Sequence, residues 1–273
     1  MAAAAPQPTA SAAPFDPAPA PRRPRRSLAR RLPVEGLSLL AGSLLWEIAG
    51  RTMDLPWLPP LSMILADLVT LLGQESVRAN ILASLQALVI GFAISLVFGL
   101  VVGALMGRFL SVEAALDIYV NALLVAPTII LIPVFFAIFG LGDGTRLSVV
   151  VVYAVFVIII NTMTAIKTVD PAMVEMARAF GASEAFIIRK VMIPASMPLV
   201  MAGVRLGLGR AVKGMITGEM LVTFVGLGAL AARFGSQFDM SKVFAVSLIV
   251  LILAAVTNWV AQLVDDRLTR WAD

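Results

Sequence analysis

The sequence predicts an all-α, polytopic membrane protein with about six transmembrane helices. Three observations predict it. Of the 273 residues, 60% are hydrophobic and only 14% charged, where a soluble domain runs nearer half and a quarter. Mean hydropathy is +0.95. The apolar residues gather into long runs of the length that crosses a bilayer, about 20 residues at 1.5 Å each.

Residues 1–33 are rich in Ala, Pro and Arg, with Arg22, Arg23, Arg25, Arg26, Arg30 and Arg31 clustered. Such a stretch cannot bury a core and reads as a disordered cytoplasmic tail. The basic cluster comes late for a secretory leader, so the apolar run after it reads as a retained first span. Residues 34–273 read as the transmembrane domain, with a core at about 78–264. The spans are 36–50, 81–107, 114–139, 147–166, 199–222 and 243–264. The first is short. The third contains Asp117, Pro127 and Pro133, and the fifth contains Arg205, Arg210, Lys213 and Glu219.

Between the first two spans, Leu61, Ile64, Leu65, Leu68 and Leu72 share a helical face. This segment is too short to span and reads as an interfacial helix on the outer side, with a re-entrant or packing helix as the alternative. Gly99, Gly103 and Gly107 recur every four residues in the second span; Gly203, Gly207, Ala211, Gly214 and Gly218 line one face of the fifth. Small residues at this spacing let helix backbones approach closely.

Orientation follows from the basic residues. With the N-terminus inside, the inner segments hold the tail arginines, Arg108, Lys167, Arg178, Arg189, Lys190, Arg267 and Arg270. The outer segments hold only Arg51, Arg78, Arg146, Arg233 and Lys242. The positive-inside rule then places both termini in the cytoplasm. It also accounts for the net charge of +4 without any nucleic-acid partner.

Composition excludes much chemistry. There is no Cys and no His, hence no disulfide, thiol nucleophile, Cys/His zinc site or Ser-His dyad. No G-x-x-x-x-G-K-[ST] occurs, and Gly207-Leu208-Gly209 lacks the third glycine of a dinucleotide fingerprint. The chain has no nucleotide site of its own, and nothing in it calls for a cofactor or metal. Asp143-Gly144-Thr145-Arg146 is too short for a lipid-alcohol transferase signature, so an intramembrane enzyme has little to stand on.

The loop at 167–198 carries the functional signal. Asp170-Pro171 is a helix start, a capping carboxylate followed by proline where no N–H is needed. Gly181 occupies a left-handed C-terminal position, Ser183 can cap a second short helix, and Pro194 should end it. Met173, Met176, Ala177 and Phe180 give the first helix an apolar face that wants a groove. Glu175 has two readings, a contact on a partner or a surface pair with Arg178.

Glu175-Met176-Ala177, three residues, Gly181, nine residues, Val191-Met192-Ile193-Pro194 resembles the EAA motif of ABC importer permeases. Glu, the third-position Ala, Gly and Pro match in register, and the other differences are apolar for apolar. Trp46-Glu47 and Leu58-Pro59-Pro60-Leu61-Ser62 resemble features of the nitrate, sulfonate, taurine and pyrimidine-precursor branch. The resemblance implies a type I importer fold in the bacterial inner membrane. It implies an ATPase-coupling surface at Glu175, Met176, Ala177, Phe180, Gly181, Ile193 and Pro194, and ATP hydrolysis on a separate chain. It also implies a second permease chain, in a homodimer, and an extracytoplasmic substrate-binding protein. A secondary transporter or channel without an ATPase is the alternative.

The translocation path is read at Arg210, Lys213, Glu219 and Asn121. Counted from Pro198, Arg210 and Lys213 lie roughly 18 and 22 Å along the fifth span, deep in a hydrocarbon core of about 30 Å. A cation there needs water or a counter-charge. Either the two line a path for a small anionic solute, or they pair internally with Glu219 or Asp117.

Overall fold

The structure, a computed structural model, describes residues 32–53, 55–222 and 224–268. The Arg-rich stretch at 1–31 lies outside the described residues. The chain divides into two compact units at Leu45/Trp46, a boundary inside helix α1 (Leu32–Thr52). The described part of the first unit is residues 32–45 of that helix. The second unit holds α2 (Leu61–Gly73), α3 (Glu75–Arg108), α4 (Leu110–Val125), α5 (Ile132–Phe139) and α6 (Asp143–Lys167). After them come α7 (Pro171–Ala179), α8 (Glu184–Ile187), α9 (Ile193–Val222), α10 (Leu227–Ser236) and α11 (Met240–Leu268). No strand occurs among the described residues.

Among the described residues four helical stretches are long and apolar enough to cross a membrane: Glu75–Arg108, Asp143–Lys167, Glu184–Val222 and Met240–Arg267. The predicted third span is not one rod. α4 ends at Val125, a short 3-10 turn follows, and α5 leaves at 100°. Pro127 forbids helical geometry at Ala126, which is extended (φ −58°, ψ 137°). Pro133 falls in the first turn of α5, where its missing N–H costs nothing. Counted as one span, this bent pair brings the candidate crossings among the described residues to five. α1, the predicted first span, is not among them.

α6 is the centre. α3 and α9 clasp it with their glycine faces. A Cβ on Gly99 would lie 2.6 Å from Ile158, and one on Gly107 2.9 Å from Ile166. From the other side, a Cβ on Gly203 would lie 2.3 Å from Asn161, and one on Gly207 2.6 Å from Ile158. Without side chains there, the backbones come close enough for Leu88, Val150, Ala154, Ile158, Leu208, Ala211, Val212 and Met215 to form one buried cluster.

α2 is a packing helix. Ile64 and Leu71 are buried, with Leu68 beside them, against Val77, Ala245, Val246 and Ile249. Leu65 and Leu72 of the predicted face are exposed, so the buried stripe is turned part of a turn from the expected one. Glu47 sets where α2 begins: its carboxylate accepts from Ser62 N at 2.9 Å and from Ser62 Oγ at 2.8 Å. Trp46 Nε1 donates to Pro59 O at 3.0 Å. The two separate sequence features, Trp46-Glu47 and Pro59 to Ser62, are thus one contact.

A second polar junction sits where α9 ends. Glu219 is fully buried and accepts from Ser84 Oγ at 2.8 Å and from Gly228 N at 3.0 Å. Ser84 Oγ accepts from Leu227 N, and Asn80 Oδ1 from Gly226 N at 2.6 Å. A Cβ on Gly226 would lie 2.2 Å from the Glu219 carboxyl carbon. Arg146, itself paired with Asp143 at 2.8 Å, approaches Glu219 to 3.9 Å. The first turn of α10 is thereby tied to α3, α6 and α9. The buried carboxylate is offset by the donors Ser84 Oγ and Gly228 N and by the nearby Arg146 guanidinium.

Candidate functional site: the α7 helix and the exposed face of α9

α7 forms as its sequence dictates. Asp170 Oδ1 accepts from Ala172 N at 2.9 Å, and Pro171 follows in the first turn. At the other end Gly181 takes φ +77°, with Gly181 N donating to Arg178 O at 2.9 Å and Ala182 N to Ala177 O at 3.0 Å. This left-handed closure is open to glycine at little cost. Ser183 Oγ accepts from Phe186 N at 3.3 Å and starts the next helix.

That next helix does not stop at Pro194. α8, a π-turn over Ile188–Met192 and α9 run on as a single 39-residue helix, Glu184–Val222. The wider turn absorbs the proline's missing N–H, which would otherwise leave a carbonyl without a partner. The loop therefore ends near Ser183, and Ile193 and Pro194 belong to the shaft of the span. Ile193 is exposed and Pro194 half-buried.

The apolar face of α7 is unclaimed among the described residues. Met173 and Met176 are exposed and Phe180 is 86% exposed, while Ala177 is half-buried. Ala177, Phe180, Gly181, Ala182, Ser183 and Phe186 line an open recess beside it. Glu175 is exposed and does not pair with Arg178. Arg178 turns instead to Glu184, with Nε at 3.0 Å and Nη2 at 2.8 Å from Oε1. The i, i+3 reading of Glu175 fails because Glu184 offers Arg178 a two-pronged contact.

The predicted path residues separate. Arg210 and Lys213 are exposed on the face of α9 away from its glycine contacts with α6. Neither forms an ion pair with a described residue. Glu219 lies in the buried junction above, on another face, and its cation is Arg146. Asp117 is engaged by Asn121, whose Nδ2 donates to Asp117 Oδ1 at 2.8 Å. The internal pairing of Arg210 or Lys213 with Glu219 or Asp117 is thus absent. Asn121 is exposed on α4. Arg205 reaches Asp265 of α11 at 3.0 Å. Since α9 is continuous from Glu184, position along it is better counted from its C-terminal end: Arg210 lies about 18 Å from Val222 and Lys213 about 14 Å.

Sequence reasoning missed Glu184, Arg108 and the set around Glu219. A carboxylate one residue after the Ser183 cap, and the glycines at 226 and 228 flanking the start of a helix, were the available signals.

A bundle packed on glycine and an apolar-faced helix presented between two membrane-crossing helices are features that fit the membrane subunit of a transporter. Residues 95–270 match the family of binding-protein-dependent transport system inner membrane components, and the chain belongs to that family. It is 24% identical to the taurine transport system permease protein TauC of Escherichia coli (strain K12), over 83% of this chain and 84% of that one. It is 28% identical to the formylaminopyrimidine transport permease protein ThiX of Halalkalibacterium halodurans, over 83% of this chain and 91% of that one. Among solved structures, the inward-facing MetNI methionine ABC transporter matches with a TM-score of 0.57 at 23% identity, covering 70% of this chain and 93% of that one. The likeness supports the fold. The chain is an ABC importer permease subunit, a multi-pass membrane protein and not an enzyme; ATP hydrolysis resides on a separate chain in such systems.

Proposed function

We propose that α7 is the helix through which ATPase subunits drive this permease, and that the exposed face of α9 lines the path of a small anionic solute. The observation that carries the first part is the outward apolar face of Met173, Met176 and Phe180 on a helix that is not itself a span. Exposed apolar side chains on a capped, well-formed helix are what a groove on a partner recognises. Glu175, Ala177 and Gly181 complete that surface, and Ile193 and Pro194 continue it into the α9 shaft. In this reading both termini are cytoplasmic, residues 34–273 form the permease domain in the bacterial inner membrane, and a second copy of the chain closes the path. An extracytoplasmic binding protein delivers the solute.

The anionic cargo rests on Arg210 and Lys213, two cations on one exposed face with no described counter-ion. Buried in lipid they would be costly; beside a water-filled path they attract a negative solute. Relatives named for taurine and aliphatic sulfonates are consistent with this charge. The test is uptake of a panel of sulfonates, carboxylates and neutral pyrimidines by cells carrying the whole transporter. Arg210→Gln and Lys213→Gln should assemble normally and lose anion uptake selectively. Unchanged uptake in both variants would remove the anion reading.

A further inference from the structure

At the inner end of the bundle, three helices meet on one carboxylate. Glu184 opens the long helix that becomes α9. Its Oε1 accepts from Nε and Nη2 of Arg178, in the last turn of α7, at 3.0 and 2.8 Å. Its Oε2 accepts from Nη2 of Arg108, the last residue of α3, at 3.0 Å. Both oxygens are used, each by a different helix. Nearby, Lys167 at the end of α6 bonds Glu113 in the first turn of α4, so the inner ends of the spans are joined by charge in two places.

α7 has little else to hold it. It leaves α6 through Thr168 to Asp170, and it joins α8 through a turn that pivots on Gly181 at φ +77°. Its apolar face is exposed among the described residues, and its packing is on α8 and the π-turn. A push on α7 carried only by the glycine turn would be dissipated in backbone rotation. The Arg178 fork is planar and fixes the direction of approach as well as the distance.

We propose that Glu184 is a positioning residue that couples α7 rigidly to α9 and α3 together, so that displacement of α7 moves both spans. The proposal rests on the docking role given to α7 above. All three side chains are partly exposed, so the cluster adds little to stability. Its role is to orient, and its loss should leave folding and ATPase binding intact.

The experiment uses the complete transporter with its ATPase subunits in proteoliposomes. Gly209→Cys serves as a reporter on the exposed face of α9, where an added Cβ meets no neighbouring helix or side chain within 4 Å; the native chain has no cysteine. The readout is the change in maleimide labelling rate when ATP and vanadate are added. With Glu184 intact the rate should change by about fivefold or more, the lower end of ordinary allosteric couplings. Glu184→Gln should reduce the change to less than about twofold, while ATPase co-purification and ATP hydrolysis persist. Arg108→Gln, which keeps the α7–α9 arm, should fall between. A full ATP-dependent change in Glu184→Gln overturns the proposal, as does loss of ATPase binding in that variant, which would make Glu184 part of the docking surface. If the unaltered chain binds no ATPase, the docking role of α7 fails, and the relay with it.

Discussion

Glu219 and Ser84 stand 135 positions apart and share a 2.8 Å hydrogen bond where neither side chain is exposed. The bond fastens the C-terminal end of α9 to α3, and through Gly228 and Leu227 it fastens the start of α10 to both. Glu219→Ala would leave the Gly228 N–H and the Arg146 guanidinium facing an empty site. Removing one member of such a buried set costs about 3–5 kcal/mol. The expected outcome is a sharp drop in membrane yield and in melting temperature in detergent. Glu219→Gln keeps an acceptor for Gly228 N and should lose less.

The glycine faces predict a graded series. Gly207→Ala would place a Cβ 2.6 Å from Ile158, whereas Gly209→Ala meets nothing within 4 Å. Overpacking of this kind costs about 1–3 kcal/mol. Melting temperatures should fall for Gly207→Ala and Gly203→Ala and hold for Gly209→Ala. Equal stability of all three would contradict the packing of α9 on α6.

Gly181 makes a different demand. Its Cβ would meet no neighbour, and only its positive φ excludes a side chain. Gly181→Val should therefore insert and fold like the unaltered chain, with a local cost of about 1–2 kcal/mol in the turn, and should lose most uptake because α7 is re-aimed. Membrane yield and uptake measured on the same cells check this.

Orientation can be read with single cysteines. Lys190→Cys, within the π-turn, should be shielded from an impermeant maleimide in intact cells, and Ser236→Cys, at the end of α10, should react. Asp239 follows closely in the same segment; a hydrogen bond from Lys242 holds its carboxyl below the usual carboxylate range. Reaction at position 190 from outside would invert the topology and separate α7 from any cytoplasmic ATPase.

Much of this was legible in the sequence because it depends on local rules. The Asp170-Pro171 start, the Gly181 closure and the Ser183 cap each involve neighbours a few residues away. The small-residue spacing of α3 and α9 reports helix contacts whatever the partner. What was not legible depended on a competing partner or on backbone adaptation. Arg178 chose Glu184 over Glu175 because the turn at Gly181 folds the next helix back beside α7. Pro194 failed to end a helix because a π-turn could take up its missing donor. Glu219 found Arg146, Ser84 and Gly228 through tertiary packing that no spacing rule encodes, and Pro127 broke a span that hydropathy alone reads as continuous.

In the proposed mechanism α7 is the point at which a separate ATPase drives this permease. Ala177→Arg tests it most directly, since Ala177 lies on the presented face and lines the recess beside Phe180. With the transporter genes co-expressed, the variant permease should reach the membrane at normal yield, fail to retain the ATPase on co-purification, and lose ATP-dependent uptake. Normal ATPase retention together with normal uptake would contradict the account.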